Sequence, residues 1–342
     1  MAASRSRSRG IPLSPALEIG IAYDLVTDFA PRPGDPADSL AEYDSEKTVA
    51  AIEAALRTAG HRPRRMGGGR QLLEGLLADA PDLVFNLAEG RGGRSREAQV
   101  PAACEMLGVP CTHSDPLTMA VTLDKAAAKR LVRSAGVPTP DFAVLGAPGP
   151  VDLEFPVVAK PAHEGSSMGI GAQSLVRRPQ ELPGVVGELL ERYRQPVLVE
   201  EFCPGAELTV GVFGTGECAR PLAVMEVAPQ RRPLDEFLYS GQVKHDWEVE
   251  VTYHVPPRVA PAVAARAAEV ALDACRALGC QDVARIDLRV DRRGEPSFLE
   301  ANPLPGLHPV VSDLAMMARP LGVGYDELIL RILACARERL GV

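Results

Sequence analysis

The sequence predicts an α/β protein in three parts: an N-terminal parallel α/β unit followed by two α+β units. Three observations carry this. The chain has 342 residues, too many for one small domain and enough for two or three. Between residues 17 and 107, short apolar runs alternate with helical stretches, the pattern of a parallel sheet covered on both faces. Beyond residue 155, strands turn back through glycine-rich loops. The boundaries expected are a disordered basic tail over 1–16, a first unit over 17–115, a central unit over 116–198 and a C-terminal unit over 199–342.

Composition bounds what such a chain does. Hydrophobic residues make up 46% and aromatic ones 4%, so the core is expected to be mostly Ala, Val, Leu and Ile. A net charge of −8 and a pI near 5.4 argue against nucleic acid or an anionic membrane as partner. No apolar run approaches the roughly 20 residues that span a bilayer. The opening M-A-A-S-R-S-R-S-R-G lacks the apolar stretch of a secretory signal. Seven cysteines without a C-x-x-C pair fit reduced thiols in the cytoplasm. Six histidines show no metal spacing. Only five of the 37 basic residues are lysines, at 47, 125, 129, 160 and 244. With arginine supplying the surface charge, each lysine is marked as a place where a compact ammonium is wanted, as it is against phosphate.

In chain order, a first strand over 17–26 leads into a Pro/Gly/Asp-rich loop over 28–44. Ser45 then caps a helix with Val49, Ile52, Leu56 and Ala59 on one side, closed by Gly60. A helical stretch over 71–80 precedes a short strand at 82–87, the glycine-rich loop N-L-A-E-G-R-G-G-R-S-R-E and a helix over 98–107. Ligands of parallel sheets collect beyond the carboxyl ends of strands, where residues 89–96 fall; an ordinary strand-to-helix turn is the alternative. Residues 110–116 cross to the second unit. A helix over 122–135 carries Lys125 and Lys129, and G-V-P-T-P ends it. Strands at 155–161 and 170–176 flank a loop whose Gly165, Ser166, Ser167 and Gly169 offer N–H groups and hydroxyls to phosphate oxygens, with Lys160 at its base. A buried strand over 195–202 ends in Glu200 and Glu201. Further strands are expected at 206–213, 222–227 and 248–255, with a polar loop at 239–246. An Ala-rich helix over 258–279 follows, and residues 310–340 are mainly helical.

The stretch over 283–306, V-A-R-I-D-L-R-V-D-R-R-G-E-P-S-F-L-E-A-N-P-L-P-G, reads as a hairpin. Ala284, Ile286, Leu288 and Val290 share one face, and Arg285, Asp287 and Arg289 the other. Gly294 marks the turn, and Pro303 and Pro305 stop the second strand. Folding back would gather Asp287, Glu300 and Asn302 beside Arg285. Two carboxylates and an amide suit Mg2+, which keeps few protein ligands. A surface hairpin with solvated charges is the other reading of this stretch alone.

Five pieces in order resemble the ATP-grasp carboxylate–amine ligases, most nearly their D-alanine–D-alanine ligase branch. They are G-V-P-T-P after Lys125, V-V-A-K-P-x-x-E-G-S-S-M-G, V-L-V-E-E-F-x-x-G-x-E-L-T-V, A-R-I-D-L and F-L-E-A-N-P-L-P-G. The resemblance runs from Cys111 to the C-terminus. It implies a three-domain ATP-grasp fold whose two α+β domains clamp ATP, two Mg2+ ions with Mn2+ as a substitute, and a homodimer. It implies phosphate contacts by Lys125 and Lys160, and adenine and ribose contacts by Glu200, Glu201, Cys203 and Glu207. Ser166 and Ser167 would lie in the loop closing on the γ-phosphate, and Asp287, Glu300 and Asn302 would hold the metal. Catalytic roles would fall to Arg285, Ser166 and Lys244, the last in a mobile lid. The implied reaction passes the γ-phosphoryl of ATP to the carboxylate of an amino acid or small peptide, and an amine then displaces phosphate.

The amino-acid pocket departs from the family pattern. Its ammonium-binding loop is replaced by D-L-V-T-D-F-A-P-R-P-G-D, leaving Asp24, Asp28, Glu42 or Asp44 as substitutes. The family's Leu-His-Gly becomes Leu87-Ala88-Glu89-Gly90, its acidic continuation becomes Arg94-Ser95-Arg96, and His245 and His308 replace a Tyr and a Thr. Candidate substrate contacts are therefore Glu89, Arg94, His245, His308 and Ser312. For Arg94 and Arg96 the choice lies between gripping a carboxylate and solvated surface charge, and for Ser312 between a substrate contact and packing or capping. For the whole chain the alternatives are a non-alanine acid, a larger acceptor such as a carrier protein, and a non-catalytic nucleotide-binding protein.

Overall fold

Local sequence rules build three sheets, and helices from both ends of the chain share one core with the first of them. The structure is a computed structural model that describes residues 16–342. All but the last residue of the tail expected over 1–16 lies outside the described residues.

The first sheet holds β1 (Glu18–Ala22), β2 (Arg62–Gly67) and β3 (Leu83–Asn86) in the order β2-β1-β3, all parallel. Helices α1 (Glu46–Thr58), α2 (Gly69–Ala78) and α3 (Gln99–Leu107) connect and flank these strands. Ser45 does cap α1, accepting a hydrogen bond from the Thr48 amide. β2 was not expected. Its sequence, R-P-R-R-M-G, carries no apolar alternation, because as an edge strand it pairs Arg64 and Arg65 with Glu18, Asp79, Glu46 and Glu53 instead of burying them.

The second sheet follows α4 (Pro116–Leu123) and α5 (Lys125–Ser134). The single helix expected over 122–135 is in fact broken at Asp124, whose carboxylate accepts from the Ala127 amide at 3.0 Å and restarts the helix. Strands β4 (Phe142–Leu145), β5 (Val157–Pro161), β6 (Leu175–Val176) and β7 (Val197–Glu201) lie in the order β4-β7-β5-β6, paired antiparallel. α6 (Leu182–Tyr193) covers one face with Leu182, Val186 and Leu189. The return strand expected over 170–176 shortens to β6 because Ser174 curls the preceding turn, bonding the Gly171 amide and the Gly169 carbonyl.

The third sheet joins β8 (Glu207–Phe213), β9 (Arg220–Pro229), β10 (Val251–His254), β11 (Val283–Val290) and β12 (Pro296–Asn302) in the order β10-β9-β8-β11-β12. Between β9 and β10, the polar loop expected at 239–246 folds as α7 (Gly241–His245), with Ser240 as its cap. α8 (Trp247–Glu250) delays the strand expected from 248. α9 (Pro261–Leu278) packs Val270, Ala271, Ala274 and Leu278 on Leu208, Val210, Ile286 and Leu288, and Gly279 ends it in the left-handed conformation. α10 (Asp313–Ala318) lies so close to β8 that a Cβ on Gly211 would stand 2.8 Å from Leu314. α11 (Tyr325–Leu340) places Leu328, Ile329, Ile332 and Leu333 in one cluster with Ile52 of α1 and with Ile19 and Phe85 of the first sheet. The last helix of the chain thus completes the core of the first unit. No helix of the described residues is long and apolar enough to cross a membrane.

Candidate active site

The β11–β12 register sets Asp287 opposite Glu300 and Arg285 opposite Asn302, so the residues grouped by sequence alternation do share one face. Arg285 Nη2 lies 2.8 Å from Asp287 Oδ2, and its Nη1 lies 3.0 Å from Asp313 Oδ2 at the start of α10. Asn302 Nδ2 donates to Asp287 Oδ2 at 3.1 Å. Burial opposes the charge on Arg285, but Asp287 and Asp313 outweigh it and hold the guanidinium firmly protonated. Burial raises the Asp287 carboxyl above its ordinary range; Arg285 offsets part of this, and Glu300 adds to it. Asp313 was not singled out from the sequence, since only the tertiary fold brings it to the hairpin.

Three lysine–carboxylate contacts adjoin this face. Lys125 Nζ stands 3.2 Å from Glu300 Oε2 and also donates to the Glu164 carbonyl. Glu200 bridges two ammonium groups, Lys160 at 2.6 Å and Lys129 at 2.7 Å. Lys125 and Lys129 lie one turn apart on α5. Burial works against the Glu200 anion, yet Lys129 and Lys160 together bring its carboxyl below the ordinary value. Burial likewise opposes the Glu300 anion, and Lys125, Lys160, Arg285 and Lys244 drive it the other way, far below the usual range. Lys129, fully buried, had no role in the sequence reading. Its signal was the four-residue spacing from Lys125 in a chain poor in lysine.

A cavity of about 280 Å³ collects Lys125, Ser166, Lys244, Arg285, Glu300 and Asn302. A smaller one of about 60 Å³ is lined by Lys160, Glu200, Glu201, Cys203, Glu207 and Arg289, and Tyr239 borders both. Ser166 and Ser167 hold left-handed backbone, φ 48° and 59°, which serine seldom adopts and which concentrates at functional loops. Ser167 Oγ donates to the Tyr239 carbonyl at 3.0 Å, and Lys244 Nζ lies 5.0 Å from the Tyr239 ring centroid. Burial pushes the Cys203 thiol up to about 12, so it stays protonated.

The candidate substrate residues divide. Glu89 and Ser312 line the larger cavity, though Ser312 Oγ donates to the His308 carbonyl at 2.7 Å. His245 is 82% exposed. His308 Nδ1 accepts from the Val310 and Val311 amides, both at 3.2 Å. Neither histidine borders the cavity. Arg94 is 72% exposed and borders a separate open cavity of about 900 Å³. Arg96, by contrast, is buried and donates to both oxygens of Glu42 at 2.7 Å, to Glu164 at 3.1 Å and to the His163 carbonyl at 2.9 Å. Of the acids suggested for the missing ammonium site, Glu42 borders the larger cavity. The sequence reading passed over Glu97, which also lines it.

The donor set on the hairpin fits a hard cation. Among the described residues, no group of three or more His, Cys, Asp and Glu side chains is placed to hold a metal ion unaided. Two carboxylates and the Asn302 amide oxygen are the sparse protein share expected for Mg2+, which completes its shell with phosphate and water.

Comparison with known proteins gives a consistent result. Residues 131–334 match the family model described as D-ala D-ala ligase C-terminus. The chain is 37% identical over 300 residues to Uncharacterized protein y4sG of Sinorhizobium fredii, covering 84% of this chain and 87% of that one. It is 35% identical over 296 residues to D-alanine--D-alanine ligase of Bordetella petrii, covering 83% and 84%. Its fold is similar to the crystal structure of D-alanine--D-alanine ligase from Bacillus anthracis complexed with ATP. There the TM-score is 0.71 at 21% identity, covering 94% of this chain and 98% of the other.

Proposed function

The chain belongs to the D-alanine–D-alanine ligase family of ATP-grasp enzymes and is a ligase joining a carboxylate to an amine; from that premise we propose that it binds ATP with Mg2+ and couples amino acids or a small peptide through an acyl phosphate. One observation carries the reading: Lys125, Ser166, Lys244, Arg285, Glu300 and Asn302, from five separate segments, line a single cavity.

The residues divide the work. Lys125 and Lys160 grip phosphate oxygens, exchanging their present carboxylate partners for the nucleotide. Asp287, Glu300 and Asn302 would hold the metal, which when bound neutralises charge on the phosphates. The loop of Ser166 and Ser167 closes over the γ-phosphate, and Lys244 covers it from α7. Adenosine rests against Glu201, Cys203 and Glu207 in the smaller cavity. Arg285, held charged by Asp287 and Asp313, faces the oxygens that turn negative when the carboxylate takes the phosphoryl group and again when the amine attacks. Excluding water protects the acyl phosphate from hydrolysis. By family likeness the enzyme acts as a homodimer in the cytoplasm.

Phosphate release from ATP with a panel of D- and L-amino acids and small peptides tests the proposal. Release with acid and amine, together with an amide product, supports it; no release with any acid or acceptor removes it. A larger acceptor is the second reading, favoured by the open cavity of about 900 Å³ that shares Glu42 and Glu164 with the catalytic one. Amide formation on a carrier-bound or peptidyl amine, but not on free amino acids, selects it.

A further inference from the structure

The serine loop holds an unfavourable backbone. Ser166, Ser167 and Gly169 all take positive φ, at 48°, 59° and 74°. Left-handed backbone costs a residue with a side chain roughly 1–2 kcal/mol, and it persists where the surroundings dictate it. Within the central unit, the Met168 amide donates to the Gly165 carbonyl at 2.9 Å and Ser174 Oγ to the Gly169 carbonyl at 3.2 Å. From beyond β9, the Tyr239 carbonyl accepts from Ser167 Oγ. A further fastening comes from the first unit, through the loop over residues 28–44.

The ends of that loop meet, because the Val26 amide donates to the Asp44 carbonyl at 2.9 Å and the Asp44 amide to the Asp24 carbonyl at 3.1 Å. Three successive turns, closed by the Ser39, Ala41 and Tyr43 amides on the Pro36, Asp38 and Leu40 carbonyls, give it a shape of its own. It meets the serine loop at both ends. A Cβ on Gly165 would stand 3.3 Å from Glu42 Oε2, and the Gly169 amide donates to Asp38 Oδ2 at 2.9 Å. The Tyr193 hydroxyl, at the close of α6, lies 2.9 and 2.8 Å from Asp38 Oδ1 and Oδ2 and aims the carboxylate. The Tyr193 ring backs the same glycine, since a Cβ on Gly169 would stand 3.0 Å from Tyr193 Cε2 and 2.5 Å from Pro161 Cγ. Burial, then the hydrogen bond and charge of Asp38, raises the Tyr193 phenol, so its hydroxyl keeps the proton it donates. Asp38 borders neither the catalytic cavity nor the smaller one beside it. Whatever it does there, it does through the loop.

From this geometry we propose that Asp38 is a positioning residue, fixing the Gly169 amide and with it Ser166 and Ser167 in the form that closes on the γ-phosphate. The proposal rests on the ligase reading and adds a requirement to it. Closure over ATP depends on a loop outside the two ATP-holding units, and Tyr193 aims the carboxylate that sets it.

The test measures dissociation constants of Mg2+–ATP and Mg2+–ADP for the wild type, Asp38→Ala, Asp38→Asn and Tyr193→Phe, with amide hydrogen exchange over residues 165–170. ADP lacks the phosphate that the loop closes on. Asp38→Ala is expected to weaken ATP at least about tenfold and ADP less than about twofold, and to speed exchange at the Gly169 amide. Asp38→Asn keeps an oxygen for the Gly169 amide and is expected to bring ATP affinity back to within about threefold of the wild type. Unchanged ATP affinity in Asp38→Ala, an equal loss for both nucleotides, or Asp38→Asn as weak as Asp38→Ala overturns the proposal. Should Asp38→Ala not fold, Tyr193→Phe decides: a loss confined to ATP supports the proposal, and an unchanged ratio of the two constants overturns it. These readouts precede the chemistry, so an absence of phosphate release with every acid and acceptor removes the ligase reading without altering them.

Discussion

Glu300 meets Lys125 across the cavity and Asp287 across the strand pair, so one carboxylate adjoins both a cation proposed for phosphate and a residue proposed for the metal. Glu300→Gln keeps the shape and removes the charge. Turnover is expected to fall at least about a hundredfold, with the circular-dichroism spectrum unchanged. Lys129 tells a different story. It borders no cavity described above, and its ammonium holds Glu200 from one side while Lys160 holds the other. Lys129→Met leaves a buried carboxylate with one partner, and urea unfolding should show a loss of about 1–3 kcal/mol. Asp44 gives a pH signature. Burial raises its carboxyl to about 7, with the Thr48 hydroxyl offsetting only part, against roughly 3.9 in an unfolded chain. Between these values the folded protein keeps a proton that the unfolded chain releases, so stability falls as pH rises from about 4 to about 7. Glu97 adds to the same slope. Asp44→Asn should flatten it, with a gain on the order of 1 kcal/mol at pH 8 and little change at pH 4.

At the scale of elements, two devices aim the cations. The break at Asp124 starts α5 with Lys125 as its first residue, and the same carboxylate lies 3.3 Å from His163 Nε2 next to the serine loop. Cap and loop are thereby joined through one side chain. Arg289 is the second device. Projecting from β11, it donates to the Leu234 and Phe237 carbonyls, both at 2.7 Å, and lies 4.4 Å from the Phe202 ring centroid. It pins the segment ahead of α7, the helix that carries Lys244, over the smaller cavity. Arg289→Ala should speed amide hydrogen exchange over residues 234–245 and weaken ATP binding about tenfold, a loss of roughly 1.4 kcal/mol. Unchanged exchange there would detach Arg289 from the positioning of Lys244.

Across the whole molecule, the fold and the shared face of the hairpin were legible for local reasons and the rest hidden for tertiary ones. The hairpin could be read because alternation assigns its faces and Gly294 fixes where it turns, which leaves Asp287 one register opposite Glu300. The serine loop and the strand ending in Glu200 were legible in the same way. β2 was hidden because its arginines find counter-ions at an edge and give no apolar period. Asp313 and Lys129 were hidden because their partners Arg285 and Glu200 are remote in sequence. Arg96 looked like a possible surface charge in a glycine-rich loop, and only its contacts with Glu42 and Glu164 show it buried.

The acyl phosphate is the step on which the proposed chemistry turns, and oxygen transfer measures it directly. With an acid substrate labelled with 18O in its carboxylate, each amide bond formed should deliver one labelled oxygen to the released phosphate, with ADP as the other nucleotide product. Unlabelled phosphate, or release of AMP and pyrophosphate, would contradict it.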